Sequence, residues 1–302
     1  MKYFKTISEF HEFRDLPKPQ HPLFSVINVA DVKHLHNYEP ITMAMDFYSI
    51  AIKRMSNVIM KYGQQPFDFN EGILSFMAPN QVFAISLDNK NEGIIQSGWV
   101  IYIHPDFLWD TPLAKTIKRY DFWDYSLNEA LFVSEKEEAT IKGIIQNIDQ
   151  EYHSNIDRFS KQIIISQIES LLNYAERFYN RQFITREKVN NQILERLEEL
   201  VKGYFNSEDL VNRGLPTVRY IAEELHLSPK YLSSLLRVLT GQNTHQYIHN
   251  KLIEKAKEKL STTNLSISEI AYELGFAHLQ SFSKLFKSKT NQSPLEFRQS
   301  FN

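Results

Sequence analysis

A short pattern occurs twice near the carboxyl end of the chain. Ile221, Ala222 and Leu225 recur as Ile270, Ala271 and Leu274, and Leu232, Leu235, Leu236 and Arg237 recur as Phe282, Leu285, Phe286 and Lys287. The spacing is 49 residues in the first set and 50 in the second, so the later copy carries one extra residue between them. Thr240-Gly241 then recurs as Thr290-Asn291, and Tyr247 as Phe297. A pattern, a break and a trailing segment that all repeat define an internal duplication.

Each copy spells helix, tight turn, helix. Ser266 and Glu269 form a capping-box signature ahead of the apolar stripe Ile270, Ala271, Leu274. Gly275 stands where a helix end calls for a left-handed residue, and His226 holds that place in the first copy. Ser228-Pro229 reads as N-cap and first helical residue of the next helix. Gly241 and Asn291 end the second helix of each copy by the same left-handed device. Between the copies, "THQYIHNKLIEKAKEKLS" has Tyr247, Ile248, Leu252, Ile253, Ala256 and Leu260 on one helical face, with Thr244 available as its cap. Lys251, Lys255, Glu258 and Lys259 lie opposite. Such a rod, roughly 27 Å long at ~1.5 Å per residue, would set the two copies near the ~34–36 Å spacing of successive major grooves on one side of B-DNA.

Charge agrees with that geometry. Residues 215–302 carry a net charge of +4, although the whole chain is at -2. A basic piece on an acidic body is compatible with an anionic partner for that piece. There is no cysteine, which removes disulfides, thiolate metal sites and thiol nucleophiles and fits a reducing compartment. The first residues, "MKYFKTISEFHEFRDLP", include acids and lack an apolar run, unlike a signal peptide. No apolar stretch has membrane-spanning length. A cytoplasmic location is expected, with no membrane partner.

The stretches "YIAEELHLSPKYLSSLLRVLTGQ", "KLIEKAKEKLSTTNLSISEIAYELGFAHLQSFSKLFKSKT" and "SPLEFR" resemble the DNA-binding domain of AraC/XylS transcription regulators. Asn291, Phe297 and Lys251 depart from that pattern, where Gly, Tyr and Arg are usual. The resemblance implies two helix-turn-helix units joined by a long helix, double-stranded DNA as partner, and base-reading positions on the outward face of each second helix. Those positions are Lys230, Ser233, Ser234 and Arg237 in the first copy and Leu279, Gln280, Ser281, Ser283, Lys284 and Lys287 in the second. Gln suits an adenine edge, Lys a guanine edge, and Leu a thymine methyl. Arg237 and Lys287, at the far ends of their helices, suit phosphate.

Ahead of this domain, residues ~20–115 read as short strands separated by turns, which points to a sandwich or barrel. "PITMAMDFYSIAIKRM" alternates as a strand, and "GILSFMAPNQVFAIS" and "GWVIYIHPDFL" follow. The resemblance implies a cupin-like jelly roll that senses a small-molecule effector. Phe47, Tyr48, Phe69, Trp99 and Tyr102 are the aromatic candidates for its lining. His34, His36 and Glu39 superficially suggest cupin metal ligands, but the later histidine position is Ala84, so neither metal nor cofactor is expected.

Residues 134–180 turn helical, opened by the cap Ser134. The second of these helices has an apolar stripe wide enough to require burial on the sheet or on a second copy of the chain. The resemblance implies a homodimer, and RNA polymerase as a further partner. "RQFITREKVNN" is polar and reads as a linker, and "NSEDLVNRGLP" as a loop.

The expected class is thus α+β: a cupin-like effector and dimerisation domain at 1–180, a linker at 181–191 and an all-α DNA-binding domain at 192–302. The expected function is ligand-responsive transcription regulation without catalysis, by activation or repression. A cupin-type metal enzyme with an accessory helical domain, and a module using its helices for protein contacts, are the alternatives.

Overall fold

The computed structural model describes residues 1–31, 41–56, 59–62, 65–68, 72–85, 95–126, 129–154 and 157–300. The chain divides into two compact units, Met1–Gln182 and Phe183–Asn302. The first is built on β-sheet and the second is helical, a mixed α+β composition.

The first unit begins with β1 (Lys2–Phe4), α1 (Ile7–Phe13) and β2 (Phe24–Asn28). There follow β3 (Ile41–Met45), β4 (Tyr48–Ser56), β5 (Ile59–Tyr62), β6 (Gln65–Asp68), β7 (Gly72–Met77), β8 (Phe83–Ile85) and β9 (Ile95–Ile103). Single helical turns and α2 (Pro112–Thr116) lead to β10 (Leu131–Val133), α3 (Glu135–Tyr152) and α4 (Ser160–Thr185). The strands form a five-stranded sheet ordered β10-β7-β4-β9-β2, a three-stranded sheet β1-β3-β8 and a pair β5-β6. Among the described residues all pairings are antiparallel except β1 with β3.

The run "PITMAMDFYSIAIKRM" is two strands of two different sheets. The chain breaks at Asp46, whose N–H donates to the Phe4 carbonyl (3.0 Å), and Tyr3 donates its hydroxyl to the Asp46 carboxylate. The break is therefore imposed by the first residues of the chain, which alternation within the run cannot reveal.

Period-two alternation gives the large sheet two unlike faces. One face carries Tyr48, Ile50, Ile52, Leu74, Phe76, Ile101 and Ile103, all buried. It meets helices and turns through aromatic pairs: Tyr48 with Trp123 (4.8 Å), Phe76 with Phe122 (4.3 Å) and Phe24 with Tyr152 (5.8 Å). The other face carries Ser25, Ile27, Ser49, Ala51, Lys53, Val100 and Tyr102, and α1 packs there through Phe10. Ser134 does cap α3, in a reciprocal box with Glu137. Among the described residues no helix is long and apolar enough to cross a membrane.

The second unit contains α5 (Glu187–Phe205), α6 (Asp209–Arg213), α7 (Val218–Glu224), α8 (Pro229–Thr240), α9 (Thr244–Thr262), α10 (Ile267–Glu273), α11 (Leu279–Thr290) and α12 (Pro294–Gln299). The segment read as a loop, 206–216, contains α6 instead. Its Leu210 is buried in the helical core, and that single anchor is too short a signal for periodicity to expose. Residues 181–191 are helical on both sides of Arg186. Their polar sequence hides the burial of Gln182, Phe183 and Asn190. The cap of α9 is Asn243, boxed with Gln246; Thr244 is wholly buried one residue later.

Candidate nucleic-acid interface

The four residues expected to be left-handed are so. His226 has φ +57°, Gly241 +72°, Gly275 +77° and Asn291 +61°. They turn α7 into α8 and α10 into α11, and they end α8 and α11. Ser228 accepts from the Tyr231 N–H at the start of α8. In the second pair, His278 stands at the start of α11 and makes no capping bond.

Each pair packs by its apolar stripe. Leu232, Leu235 and Leu236 of α8 and Phe282 and Phe286 of α11 are fully buried, and Leu285 is partly so. Opposite them, α8 carries Lys230, Ser233, Ser234 and Arg237, spaced to fall on one stripe. Lys230 and Arg237 are exposed and the two serines half-buried. On α11, Leu279, Gln280, Ser283, Lys284 and Lys287 form the corresponding stripe, with Ser281 at its edge. All are exposed except Ser283, and Leu279 keeps 41% of its surface.

The geometry separates these positions further. Ser233 Oγ lies 2.9 Å from the Thr244 hydroxyl, so it ties α8 to the start of α9. Because Thr244 has no exposed surface, this bond holds a buried polar group, a role the sequence did not disclose. The basic side of α9 is largely neutralised. Lys251 pairs with Glu198 (2.9 Å) and Glu254 (3.3 Å), Lys255 with Glu258 (3.3 Å) and Lys259 with Glu273 (2.6 Å). Among the described residues no carboxylate lies within ion-pair distance of Lys284, Lys287 or Lys289. Among the described residues, the lysines of α11 are therefore without close ion pairs, while Lys251, Lys255 and Lys259 of α9 are masked.

The helix α9 contacts α8, α10, α11 and α12. Its 19 residues span about 28 Å. Its far end is fixed by Arg298, whose Nε donates to the Leu260 carbonyl (3.3 Å). The His249 imidazole is held below its ordinary pKa, first by burial and then by Lys289 and His245.

The aromatic residues offered for an effector do not share one surface. Phe47 and Tyr102 pack together on the α1 side of the large sheet (5.4 Å). Tyr48 and Trp99, on strand positions of the opposite phase, belong to the other side. Phe69, His34, His36 and Glu39 lie outside the described residues.

Residues 221–300 match a family model described as a helix-turn-helix domain. The chain is 32% identical over 143 residues to YfiF, an uncharacterized HTH-type transcriptional regulator of Bacillus subtilis strain 168; the match covers 47% of this chain and 42% of YfiF. It is 30% identical over 82 residues to YijO of Escherichia coli K12, covering 27% of this chain and 29% of that regulator. The chain thus spans less than half the length of these curated relatives. A solved structure, the C-terminal domain of the two-component response regulator yesN from Fusobacterium nucleatum, is 29% identical, covers 34% of this chain and 95% of that one, and gives a TM-score of 0.31. The carboxyl-terminal unit carries a helix-turn-helix domain.

Proposed function

We propose that this chain is a sequence-specific, DNA-binding transcription regulator of the AraC type. The observation that carries this reading is the pair of helices α8 and α11, each with a buried apolar stripe and an outward polar and basic one, held by the single rod α9. In this reading both pairs are helix-turn-helix units, and α8 and α11 enter adjacent major grooves. Gln280, Lys284 and Lys230 are base readers, and Leu279 meets a thymine methyl. Arg237 and Lys287, with Ser234, Ser281 and Ser283, hold the backbone. Ser233 takes part through the bond that seats α8 on α9. The uncapped start of α11 offers backbone N–H groups to phosphate.

The domain limits proposed are 1–180, 181–191 and 192–302. The amino-terminal unit acts as a cupin-like sensor that binds a small-molecule effector, with Phe47 and Tyr102 on its inner face. Helices α3 and α4 contribute to a homodimer, and the regulator meets RNA polymerase at its target in the cytoplasm. Effector control requires unequal affinity of the ligand for two states of the protein.

The test is binding to the DNA upstream of the protein's own coding region, titrated with salt. Gln280→Ala is expected to weaken specific binding by about 1–3 kcal/mol and to relax one base position. Equal loss on random DNA removes Gln280 from base reading. Arg237→Gln is expected to lower affinity on every sequence and to flatten the salt slope by about one unit. An unchanged slope places Arg237 away from phosphate. Absence of any salt-dependent DNA binding by the full chain overturns the reading as a whole.

A further inference from the structure

The outward helices of the two copies, α8 and α11, are held unequally. At a spacing of 50 residues, Tyr231 of α8 corresponds to Ser281 of α11, Ser233 to Ser283 and Thr244 to Pro294. In the first copy α8 is tied twice. Ser233 bonds to the Thr244 hydroxyl (2.9 Å), and the Tyr231 ring meets the Phe183 ring edge to face, with centroids 5.1 Å apart. In the second copy neither tie can form, because Pro294 has no hydroxyl and Ser281 has no ring. Ser281 is exposed, whereas Tyr231 keeps 6% of its surface.

Phe183 comes from outside the duplicated pattern. It is the first residue of the second unit and stands in the last turn of α4. It is buried, and so is Asn190 of α5, whose side-chain amide donates to the Phe183 carbonyl across the break at Arg186. Displacing Phe183 would leave that buried amide unsatisfied, which is costly. The Phe183 ring is thus a fixed support. Tyr231 stands next to Lys230 and one helical turn before Ser234, on the flank between the core stripe and the outward stripe of α8. A support on that flank governs how α8 is rotated about its own axis, and so where Lys230, Ser234 and Arg237 are aimed.

We propose that Phe183 is a positioning residue for α8, acting through Tyr231, so that the last turn of α4 sets how the first outward helix is presented to DNA while α11 is free of that control. The meaning of this support for DNA rests on α8 being a groove reader, as proposed above. The support itself does not, and it is measurable without DNA.

The test uses the full chain and duplex DNA that it selects from a randomised pool. Lys230→Ala marks the part of the selected site that α8 reads, and Gln280→Ala the part that α11 reads. Phe183→Ala is expected to relax base preference about fivefold or more in the α8 part and to leave the α11 part unchanged. Tyr231→Ser, which places in the first copy the residue of the second, is expected to do the same, and the two changes together to add little. Phe183→Leu, which fills most of the same space, is expected to keep most of the preference. A loss of overall stability alone would not single out one part of the site. Without DNA, Phe183→Ala is expected to speed amide exchange in α8 about tenfold relative to α11. Equal relaxation in both parts, or in neither, overturns the positioning role. Exchange that rises equally in α8 and α11 overturns the support itself. If the full chain selects no DNA, the regulator reading falls, and faster exchange confined to α8 still upholds the support by Phe183.

Discussion

The two helix pairs share one frame and solve the same turn differently. In the first, α7 passes through Leu225, His226 and Leu227 to a capping Ser228. In the second, Ala277 is inserted, the left-handed residue is Gly275, and the cap position holds His278 without a capping bond. The first turn is open to solvent at His226. The second is closed by a neighbour: a Cβ on Gly275 would stand 2.3 Å from the Leu210 carbonyl oxygen and 3.2 Å from the Gly214 Cα. A repeated pattern thus fixes backbone conformation in both copies, while α6, which has no counterpart in the pattern, closes the turn of the second.

The largest contrast follows from that neighbour. Gly275→Ala must place a methyl group at φ +77° and also displace the α6 backbone. We expect a loss of about 2–4 kcal/mol from the carboxyl-terminal unit. His226→Ala sits at φ +57° already occupied by a side chain and should change stability by about 0.5 kcal/mol or less. Denaturant unfolding of the two variants, followed by hydrogen exchange in the helical unit, measures both. Equal losses would mean that left-handed strain alone matters and that α6 is not the constraint.

The next contrast is in the caps. Ser228→Ala removes an acceptor for the Tyr231 N–H and should cost about 1 kcal/mol. His278→Ala removes no capping bond and should leave the start of α11 unchanged within about 0.3 kcal/mol. Exchange rates of the first-turn amides of α8 and α11 separate the two. A matching loss at His278 would show that its side chain stabilises the turn by some contact other than capping.

These contrasts mark what the sequence could disclose. The left-handed positions were legible because Gly and Asn have few alternatives at a helix end, and duplication located His226 by alignment. The stripes on α8 and α11 were legible because helical periodicity is local. The role of Ser233 was not, since its partner Thr244 lies 11 residues on and reads in the sequence as the cap of α9, a place that Asn243 takes. Masking of Lys251, Lys255 and Lys259 was hidden in part for the same reason, as Glu198 and Glu273 come from other helices. In the amino-terminal unit, alternation alone gives no register, and one step of register separates Tyr48 and Trp99 from Tyr102.

The smallest contrast is one of pH. Both boxes of the second copy are closed by carboxylates: Glu269 accepts from the Ser266 N–H (2.7 Å), and Glu296 from the Ser293 N–H (2.6 Å). The pKa of each is lowered, chiefly by that backbone bond and then by the serine side chain, with Lys287 adding to the effect at Glu296. The first copy has no carboxylate in these places. Thr217 caps α7 with Tyr220 at the third position, and the box at α9 is Asn243 with the neutral Gln246. A carboxylate whose pKa is depressed on folding contributes stability that is complete above its unfolded value, near ~4.3 for Glu, and that vanishes as pH falls through the lower folded value. Acid should therefore loosen α10 and α12 before α7 and the start of α9. Exchange protection followed from about pH 6 to about pH 3 tests this. In Glu269→Gln the α10 amides should lose their pH dependence, because Gln keeps an acceptor and cannot ionise. If all four helices lose protection together in both proteins, the carboxylates are not what distinguishes the second copy, and its acid response belongs to the fold of the whole unit.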